Sequence, residues 1–299
     1  MHSFRSLLVD VSVPKGLECQ RVTRFINGRD DQMKLRVGYE LIYECAQPTP
    51  MMLMLNTHFS RAQDVLSADL LAVDPPVVIT QYRDSFGNLC SRLVAPQGLI
   101  SLSTSALLNV SDQPETREPF DYQHAVETLP DECLAFLLGS RYCETDLLSD
   151  IAWKLFSNTP AGGARVQAIC DYVHRHITFG YEFARPTKTA FQAWQERKGV
   201  CRDFAHLAVA LCRAMNIPAR YCTGYISDVG VPPPWSAMDF AAWFEAYVGS
   251  SWQTFDPRNN VPRIGRVLMA RGRDAADVAI SNTFGPTKLI KFEVHCAPE

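Results

Sequence analysis

The chain has 299 residues, of which 47% are hydrophobic, and its formal net charge at pH 7 is −3. This length allows one large domain or two ordinary ones with cores of their own. The 29 basic residues form no block of five or six like charges, so nothing in the composition indicates binding to nucleic acid or to an anionic membrane. A small molecule or a peptide is the expected kind of partner.

The short apolar stretch near the N-terminus and the spacing of the cysteines predict an intracellular protein. The apolar centre of the N-terminal stretch, residues 7–9, is too short for a signal sequence, and no run elsewhere is long enough to span a bilayer. We therefore expect a cytoplasmic protein. Its ten cysteines include no C-x-x-C pair and no zinc-finger spacing, which predicts that most are reduced and buried and that no metal or cofactor is needed.

The N-terminal part of the chain has the pattern of an antiparallel β structure. Residues 1–30 show no clear period and are expected to be an extension. From Leu35 to Tyr43 apolar and polar residues alternate, as in a half-buried strand. Further strand-like runs are separated by Pro, Gly and Asn turn signals; they are MLMLNTHF, VVITQYRD, NLCSRLVAP and LISLSTSALL. We predict a β-sandwich domain over residues 31–115 and a linker, SDQPETREP, after it.

Beyond the linker the pattern changes to helices, and we predict a second domain over residues 120–299. The segment TAFQAWQERKG predicts a short helix that closes at Gly199. The clearest helical spacing follows, and it predicts a helix that begins at or just after Cys201; its apolar positions are Phe204, Leu207, Ala208, Leu211, Cys212 and Met215. A strand, a hairpin, a polar-apolar segment and a last strand complete the chain; they are IPARYCTGYI, DFAAWFEAYVGSSWQTFDPRNN, GRVLMARGRDAADVAI and KLIKFEV.

Cys201 lies at the start of this helix and is the candidate nucleophile. The unpaired amides and the dipole of a helix N-terminus favour a thiolate, which predicts a pKa below the ordinary value of about 8.5. The backbone N–H of Cys201 is also a candidate oxyanion donor. The alternative is that Cys201 is one more small buried residue, as Cys212 is expected to be.

A thiolate nucleophile needs a base and a group that orients the base, and the hairpin is where we expect them. If Gly249 and Ser250 form a two-residue turn, facing residues have numbers that sum to about 499. Asp256 then shares a face with Trp243 and Ala241, and positions 241 and 256 are diagonal neighbours about 7–8 Å apart. A His–Asp pair would fit, but position 241 is alanine. The opposite face is expected to be the core side and consists of Phe240, Ala242, Phe244, Ala246 and Val248.

The chain resembles the bacterial transglutaminase-like proteins in several segments. GVCRDFAHLAVALCRAMNIPARYCTGY is similar to that family's cysteine motif, the hairpin to its His–Asp motif, and GRVLMARGRDAADVAI to its C-terminal signature. The resemblance covers roughly residues 35–285. It implies an α+β fold, with an N-terminal antiparallel β-sandwich and a papain-like transglutaminase core of helices packed on an antiparallel sheet. It further implies a Cys-His-Asp triad in which Cys201 is the nucleophile, Asp256 orients the base, and the base is expected at Ala241.

The implied activity is cysteine-dependent cleavage or acyl transfer at peptide or carboxamide bonds of a peptide or protein, through a thioester. Alanine cannot accept a proton, so we expect this chain to be inactive or severely impaired. Because Cys201 and Asp256 are both present, the pattern favours a deliberately inactivated variant. The alternatives are a natural non-catalytic protein that binds peptides and a structural role carried by the β domain.

Four further residues are expected near the site. Trp243 shares the face of position 241 and is a candidate wall of a substrate channel. His206 lies about 140° around the helix from Cys201, so it cannot replace the missing base without distortion and is expected to be a helix–sheet contact. Gln192 and Trp194 precede the nucleophile and are expected either to line the cleft or to pack on a helix face.

Overall fold

The structure is a computed structural model that describes residues 32–117, 122–235 and 237–299. These residues belong to one compact unit, and the predicted extension over residues 1–30 lies outside them. None of the helices in the described ranges is long and apolar enough to cross a lipid bilayer.

Strands and helices follow one another in the order that the sequence patterns indicate. The strands are β1 (Gln32–Cys45), β2 (Thr49–Leu53), β3 (Ala72–Asp74), β4 (Thr80–Arg83), β5 (Leu89–Ala95), β6 (Gly98–Ser111), β7 (Thr178–Phe179), β8 (Lys198–Gly199), β9 (Ala219–Ile226), β10 (Ala241–Val248), β11 (Ser251–Phe255), β12 (Arg266–Gly272), β13 (Ser281–Thr283) and β14 (Thr287–Pro298). The α-helices are α1 (Asp131–Leu134), α2 (Thr145–Phe156), α3 (Gly163–His176), α4 (Ala190–Glu196) and α5 (Cys201–Ala214). Short 3₁₀ helices lie at Phe59–Asp64, Val126–Thr128 and Tyr181–Phe183.

The N-terminal strands form two antiparallel four-stranded sheets. One has the order β14-β1-β6-β3 and the other β13-β2-β5-β4. The alternation in β1 is confirmed, because every second side chain from Leu35 to Tyr43 is at most 6% exposed. The predicted α+β class, with N-terminal antiparallel sheets, is confirmed as well.

The C-terminal strands return to the N-terminal sheets. β14 pairs with β1 from Leu35 opposite Pro298 to Cys45 opposite Thr287, and β13 pairs with β2. The predicted division into residues 31–115 and 120–299 does not include the return of β13 and β14 to the N-terminal sheets. In other respects it stays a prediction. Alternation in KLIKFEV shows that a strand exists, but its partner lies about 250 residues away and leaves no local signal.

The core sheet has the order β11-β10-β9-β12 and carries α5 on one side. The predicted hairpin register is confirmed, since Phe244 faces Phe255 and Val248 faces Ser251. Phe244 and Val248 pack with the apolar side of α5 in one buried cluster, as expected of the core face. Phe240 is buried too, but against the β-sandwich, because it precedes the strand that covers α5.

The predicted end of α4 at Gly199 is wrong. The helix ends at Glu196, Arg197 takes the left-handed conformation with φ of 56°, and Gly199 lies in β8. Gly199 is needed for a different reason, because a Cβ there would lie 2.6 Å from Oδ2 of Asp203. That same oxygen accepts the backbone N–H of Val200 at 3.0 Å, so Gly199 leaves room for the carboxylate that caps α5.

Candidate active site

Cys201 is the first residue of α5, as predicted. All nine cysteines in the described ranges are free, and eight of them are buried, whereas Cys201 is partly exposed. The turn before it is held by the buried Lys188, whose Nζ donates to the carbonyl oxygens of Phe183 and Lys198 at 3.0 and 2.9 Å. The cysteine is therefore placed on a fixed helix start, with its side chain at the surface of the core.

Cys201 faces a pocket of about 290 Å³. Other residues of its wall include Tyr181, Trp235, Asp239, Ala241, Arg258 and Asn259. Ala241 opens β10, and its neighbour Ala242 packs beside Cys201. The structure thus brings the predicted nucleophile and the position expected to hold the base into one pocket.

The expectation of a lowered pKa at Cys201 is wrong for this chain. Burial of the thiol raises its pKa to about 12, and the negative charge of Asp239 acts in the same direction. Backbone N–H groups of Ala242 and Arg202 lower the pKa, but they do not compensate for these effects, and Asp256 adds a further small rise. Helix-start amides alone do not produce a thiolate here, because burial of the thiol and the charge of Asp239 outweigh them.

Asp256 follows β11 directly and is held by four hydrogen bonds. Oδ1 accepts the backbone N–H groups of Arg258 and Asn259 at 3.1 and 2.9 Å. Oδ2 accepts Nδ2 of Asn259 at 2.8 Å and Nη2 of Arg266 at 3.1 Å. Its charge also acts on the Cys201 thiol, so nucleophile and carboxylate lie within electrostatic range of each other.

Arg266 links Asp256 to the segment that leaves the β-sandwich. Its Nε donates to Oε1 of Glu115 at 2.7 Å, and its guanidinium lies 4.6 Å from the centre of the Trp243 ring. Burial alone would lower the pKa of Arg266, but Asp256 and Glu115 outweigh this effect and raise it. The result is a buried ion cluster beneath the candidate site.

The structure does not place Trp243 in the wall of the Cys201 pocket. Its side chain is 1% exposed and packs with Cys222, Ile226 and Leu268 under the guanidinium of Arg266. The expected shared face is present, because Ala241 packs against the same cluster. Strand alternation predicts that face but not whether Arg266 covers it.

The other three residues expected near the site make structural contacts. His206 is buried and accepts the backbone N–H of Ala275 at 3.1 Å, and its ring lies 4.9 Å from that of Tyr221 in β9, so the expected helix–sheet contact is confirmed. Gln192 forms a capping box with the residue that starts α4, and Trp194 packs on the helical core. Neither Gln192 nor Trp194 lines the pocket.

Five polar residues of the pocket were missed by the sequence patterns. Four of them line it as charged groups, namely Asp228, Asp239, Arg258 and Arg263, and Asn259 lies between the pocket and Asp256. The segment DPRNN contains a signal for Asn259, because an Asp before such a turn binds backbone N–H groups two and three residues on. Within the described ranges, no group of three His, Cys, Asp or Glu side chains is arranged to hold a metal ion.

Comparisons with known proteins agree with this geometry. The model of the Transglutaminase-like superfamily matches residues 150–257, which include both Cys201 and Asp256. A crystal structure described as that of a "Putative Cysteine Protease" from Cytophaga hutchinsonii superposes with a TM-score of 0.76 at 33% identity, covering 89% of this chain and 91% of that one. The chain belongs to the transglutaminase-like superfamily.

Curated relatives of this superfamily member have no described activity. An uncharacterized protein of Mycobacterium leprae (strain TN) is 36% identical over 95 residues, which span 30% of this chain and 33% of that protein. An uncharacterized protein of Mycobacterium tuberculosis (strain H37Rv) is 26% identical over 237 residues, covering 71% of this chain and 74% of its own length. The superfamily and its cysteine-protease neighbour support a papain-like, cysteine-dependent type of activity.

Proposed function

We propose that this protein is built for cysteine-dependent cleavage or acyl transfer at peptide or carboxamide bonds, with Cys201 as the nucleophile. The observation that carries the proposal is the position of Cys201, a partly exposed thiol at a helix N-terminus that shares one pocket with Ala241. A peptide or protein in the cytoplasm is the proposed substrate, without nucleic acid or membrane as a partner.

The chemistry proceeds through a thioester. The sulfur of Cys201 attacks the carbonyl carbon of the amide, and the electron pair of the C=O bond moves to oxygen. When the oxyanion collapses, the C–N bond breaks, and the departing nitrogen takes the proton that the thiol lost. Water then attacks the thioester to give an acid, or an amine attacks to give a new amide, and the Cys201 thiol is regenerated.

The alanine at position 241 accounts for an impaired reaction. The proton of the thiol must pass to a base and from it to the leaving nitrogen, and a methyl group can do neither. With a pKa of about 12, Cys201 is almost fully protonated at neutral pH. Loss of one triad member lowers the rate by several orders of magnitude in related machinery. We therefore expect this chain to be severely impaired.

A second candidate is a non-catalytic protein that holds a peptide in the Cys201 pocket. Two features favour it: the thiol is protonated, and both oxygens of Asp256 are already occupied by hydrogen-bond donors. Peptide binding in such a pocket depends on its shape and its charges and needs no catalytic turnover.

Labelling of Cys201 decides between the two functions. In the Ala241→His variant, a peptide carrying an electrophilic amide analogue should label Cys201 much faster than in the unmodified chain, as measured by mass spectrometry of the peptide that contains residue 201. Cys201→Ala in the same background is the control for labelling elsewhere. Equal labelling with and without the histidine would exclude the triad assignment and leave the binding function.

The same variant separates hydrolysis from transfer. Incubation with a peptide library in the presence and absence of a primary amine, analysed by mass, shows whether products gain water or the amine. The masses also give a first substrate class.

A further inference from the structure

The Cys201 pocket holds four charged side chains, and two of them neutralise each other. Asp228 pairs with Nη2 of Arg263 at 3.3 Å. The guanidinium of Arg263 is occupied further by Oδ1 of Asn259 at 3.0 Å and by the carbonyl oxygen of Ser227 at 2.7 Å. This pair is part of the pocket wall, and each of its charges already has an oppositely charged partner.

The other two charged side chains, Asp239 and Arg258, have no charged partner among the described residues. Asp239 is partly buried, its pKa is raised by that burial, and the backbone N–H of Phe240 is the contact that lowers it. The guanidinium of Arg258 lies 3.9 Å from the centre of the Phe179 ring. The carboxylate of Asp239 and the guanidinium of Arg258 do not form an ion pair with each other, because they lie more than 4.0 Å apart.

Both unpaired charges act on the same point of the pocket, which is Tyr181. Burial raises the pKa of this half-exposed tyrosine, Asp239 and Cys201 raise it further, and Arg258 lowers it. The carboxylate of Asp239, the guanidinium of Arg258 and the thiol of Cys201 line the same pocket as Tyr181. Such a pocket presents one negative and one positive group to whatever lies beside the sulfur.

An unpaired charge beside an apolar wall is costly unless a ligand neutralises it. A neutral peptide segment would leave both Asp239 and Arg258 unpaired. A ligand with one positive and one negative group at a short separation would pair both, and the volume of about 290 Å³ lies at the small end of the range for ligand sites. An α-amino acid meets these conditions, because its ammonium and carboxylate groups are bonded to the same carbon atom.

We propose that the Cys201 pocket recognises an α-amino-acid group, with its ammonium held by Asp239 and its carboxylate by Arg258. The reacting carboxamide then lies in the side chain of that amino acid and faces the thiol. This proposal rests on the proposed function in taking the Cys201 pocket as the substrate site. It differs from the proposed function in replacing the peptide or protein substrate by a free α-amino acid with a side-chain carboxamide, and it names the two residues that select this substrate.

Four probes test the proposal by binding alone. L-Glutamine, N-acetyl-L-glutamine, L-glutaminamide and N-acetyl-L-glutaminamide share one side-chain carboxamide and differ only in the charges of the backbone groups. Isothermal titration of the unmodified full chain, which has Ala241, should show tightest binding for glutamine. Each probe that lacks one charge should bind about tenfold more weakly or worse, and the doubly blocked probe weakest of all.

Variants of Asp239 and Arg258 test which residue binds which charged group. Asp239→Asn should weaken the binding of glutamine about tenfold and leave the binding of N-acetylglutamine unchanged, since that probe has no ammonium group. Arg258→Gln should weaken the binding of glutamine by a similar factor and leave the binding of glutaminamide unchanged. Arg258→Lys keeps the charge and should retain most of the preference for a carboxylate.

The outcomes are decisive in either direction. Equal affinity for all four probes, equal weakening of all four by a variant, or no binding at millimolar concentrations would overturn the proposal. If circular dichroism shows that a variant is unfolded, titration of the unmodified chain with the four probes still tests the proposal. Because no turnover is needed, a negative result here leaves the labelling test of the Ala241→His variant untouched, and the reverse also holds.

Discussion

Nη2 of Arg266 donates to Oδ2 of Asp256 at 3.1 Å, and both side chains are at most 5% exposed. The same guanidinium also binds Glu115 at 2.7 Å. The carboxylate assigned to the triad is thus tied by one arginine to the segment between the two parts of the chain. A cation shared by two carboxylates cannot be removed without leaving negative charge in the protein interior.

Arg266→Met should destabilise the protein by about 3–5 kcal/mol, because Asp256 remains buried without its cation. Urea unfolding followed by tryptophan fluorescence measures the change. Arg36→Gln is the matched control, since Arg36 pairs with Glu299 at an exposed site and should contribute less than about 1 kcal/mol. Similar losses for the two variants would contradict the buried ion cluster.

Cys201 should react slowly with iodoacetamide at pH 8, because a pKa of about 12 leaves only about 10⁻⁴ of the thiol ionised. Asp239→Asn removes a negative charge that raises this pKa, so it should accelerate alkylation several-fold, whereas Asp239→Glu keeps the charge and should not. The rate is followed from pH 7 to 10.5 by mass spectrometry of the peptide containing residue 201. No difference between the two variants would show that Asp239 does not act on the thiol.

The stability of the protein should fall as the pH drops below about 6.5, in part because of His58. Burial, together with the charge of Arg271, lowers the pKa of His58 from 6.5 to about 4, while a backbone contact to Phe86 opposes them. The unfolded chain binds a proton at a pH where the folded chain does not. The stability that neutral His58 contributes is therefore fully present above about pH 6.5 and is lost as the pH falls through about 4.

His58→Asn tests this pH dependence, because asparagine can still cap the 3₁₀ helix that His58 precedes. Between pH 7 and pH 5 the unmodified chain should lose about 2 kcal/mol more than the variant, as measured by urea unfolding at both values. A slope remains in the variant, because burial also lowers the pKa of His206. Identical slopes in the two proteins would show that His58 is not buried in the neutral form.

The parts of the fold that local patterns control were predictable. The alternation from Leu35 to Tyr43 predicted the buried face of β1, and the turn at Gly249 predicted the register of the hairpin. Cys201 at the start of α5 followed from helical spacing alone. In each case the signal lies within a window of about 20 residues, where backbone geometry determines which side chains share a face.

The parts that depend on distant contacts were not predictable. Gly199 was assigned to a helix end because glycine often stands there, whereas its role is to leave space for Asp203. The residue that covers Trp243 is Arg266, which lies 23 positions further along the chain. The pairing of β14 with β1 likewise joins segments that have no neighbouring sequence in common.

The sequence by itself determined the superfamily, the candidate nucleophile, the candidate carboxylate and the alanine where a base was expected. Only the tertiary structure decided the protonation and the hydrogen bonding of these groups, since a pKa depends on burial and on charges brought close by folding. Asp239 raises the pKa of Cys201 from 38 residues away in the chain, and Arg266 occupies Asp256 from another strand. Local spacing identifies candidate residues within one element, whereas packing decides which of them meet at the site and which charge each carries there.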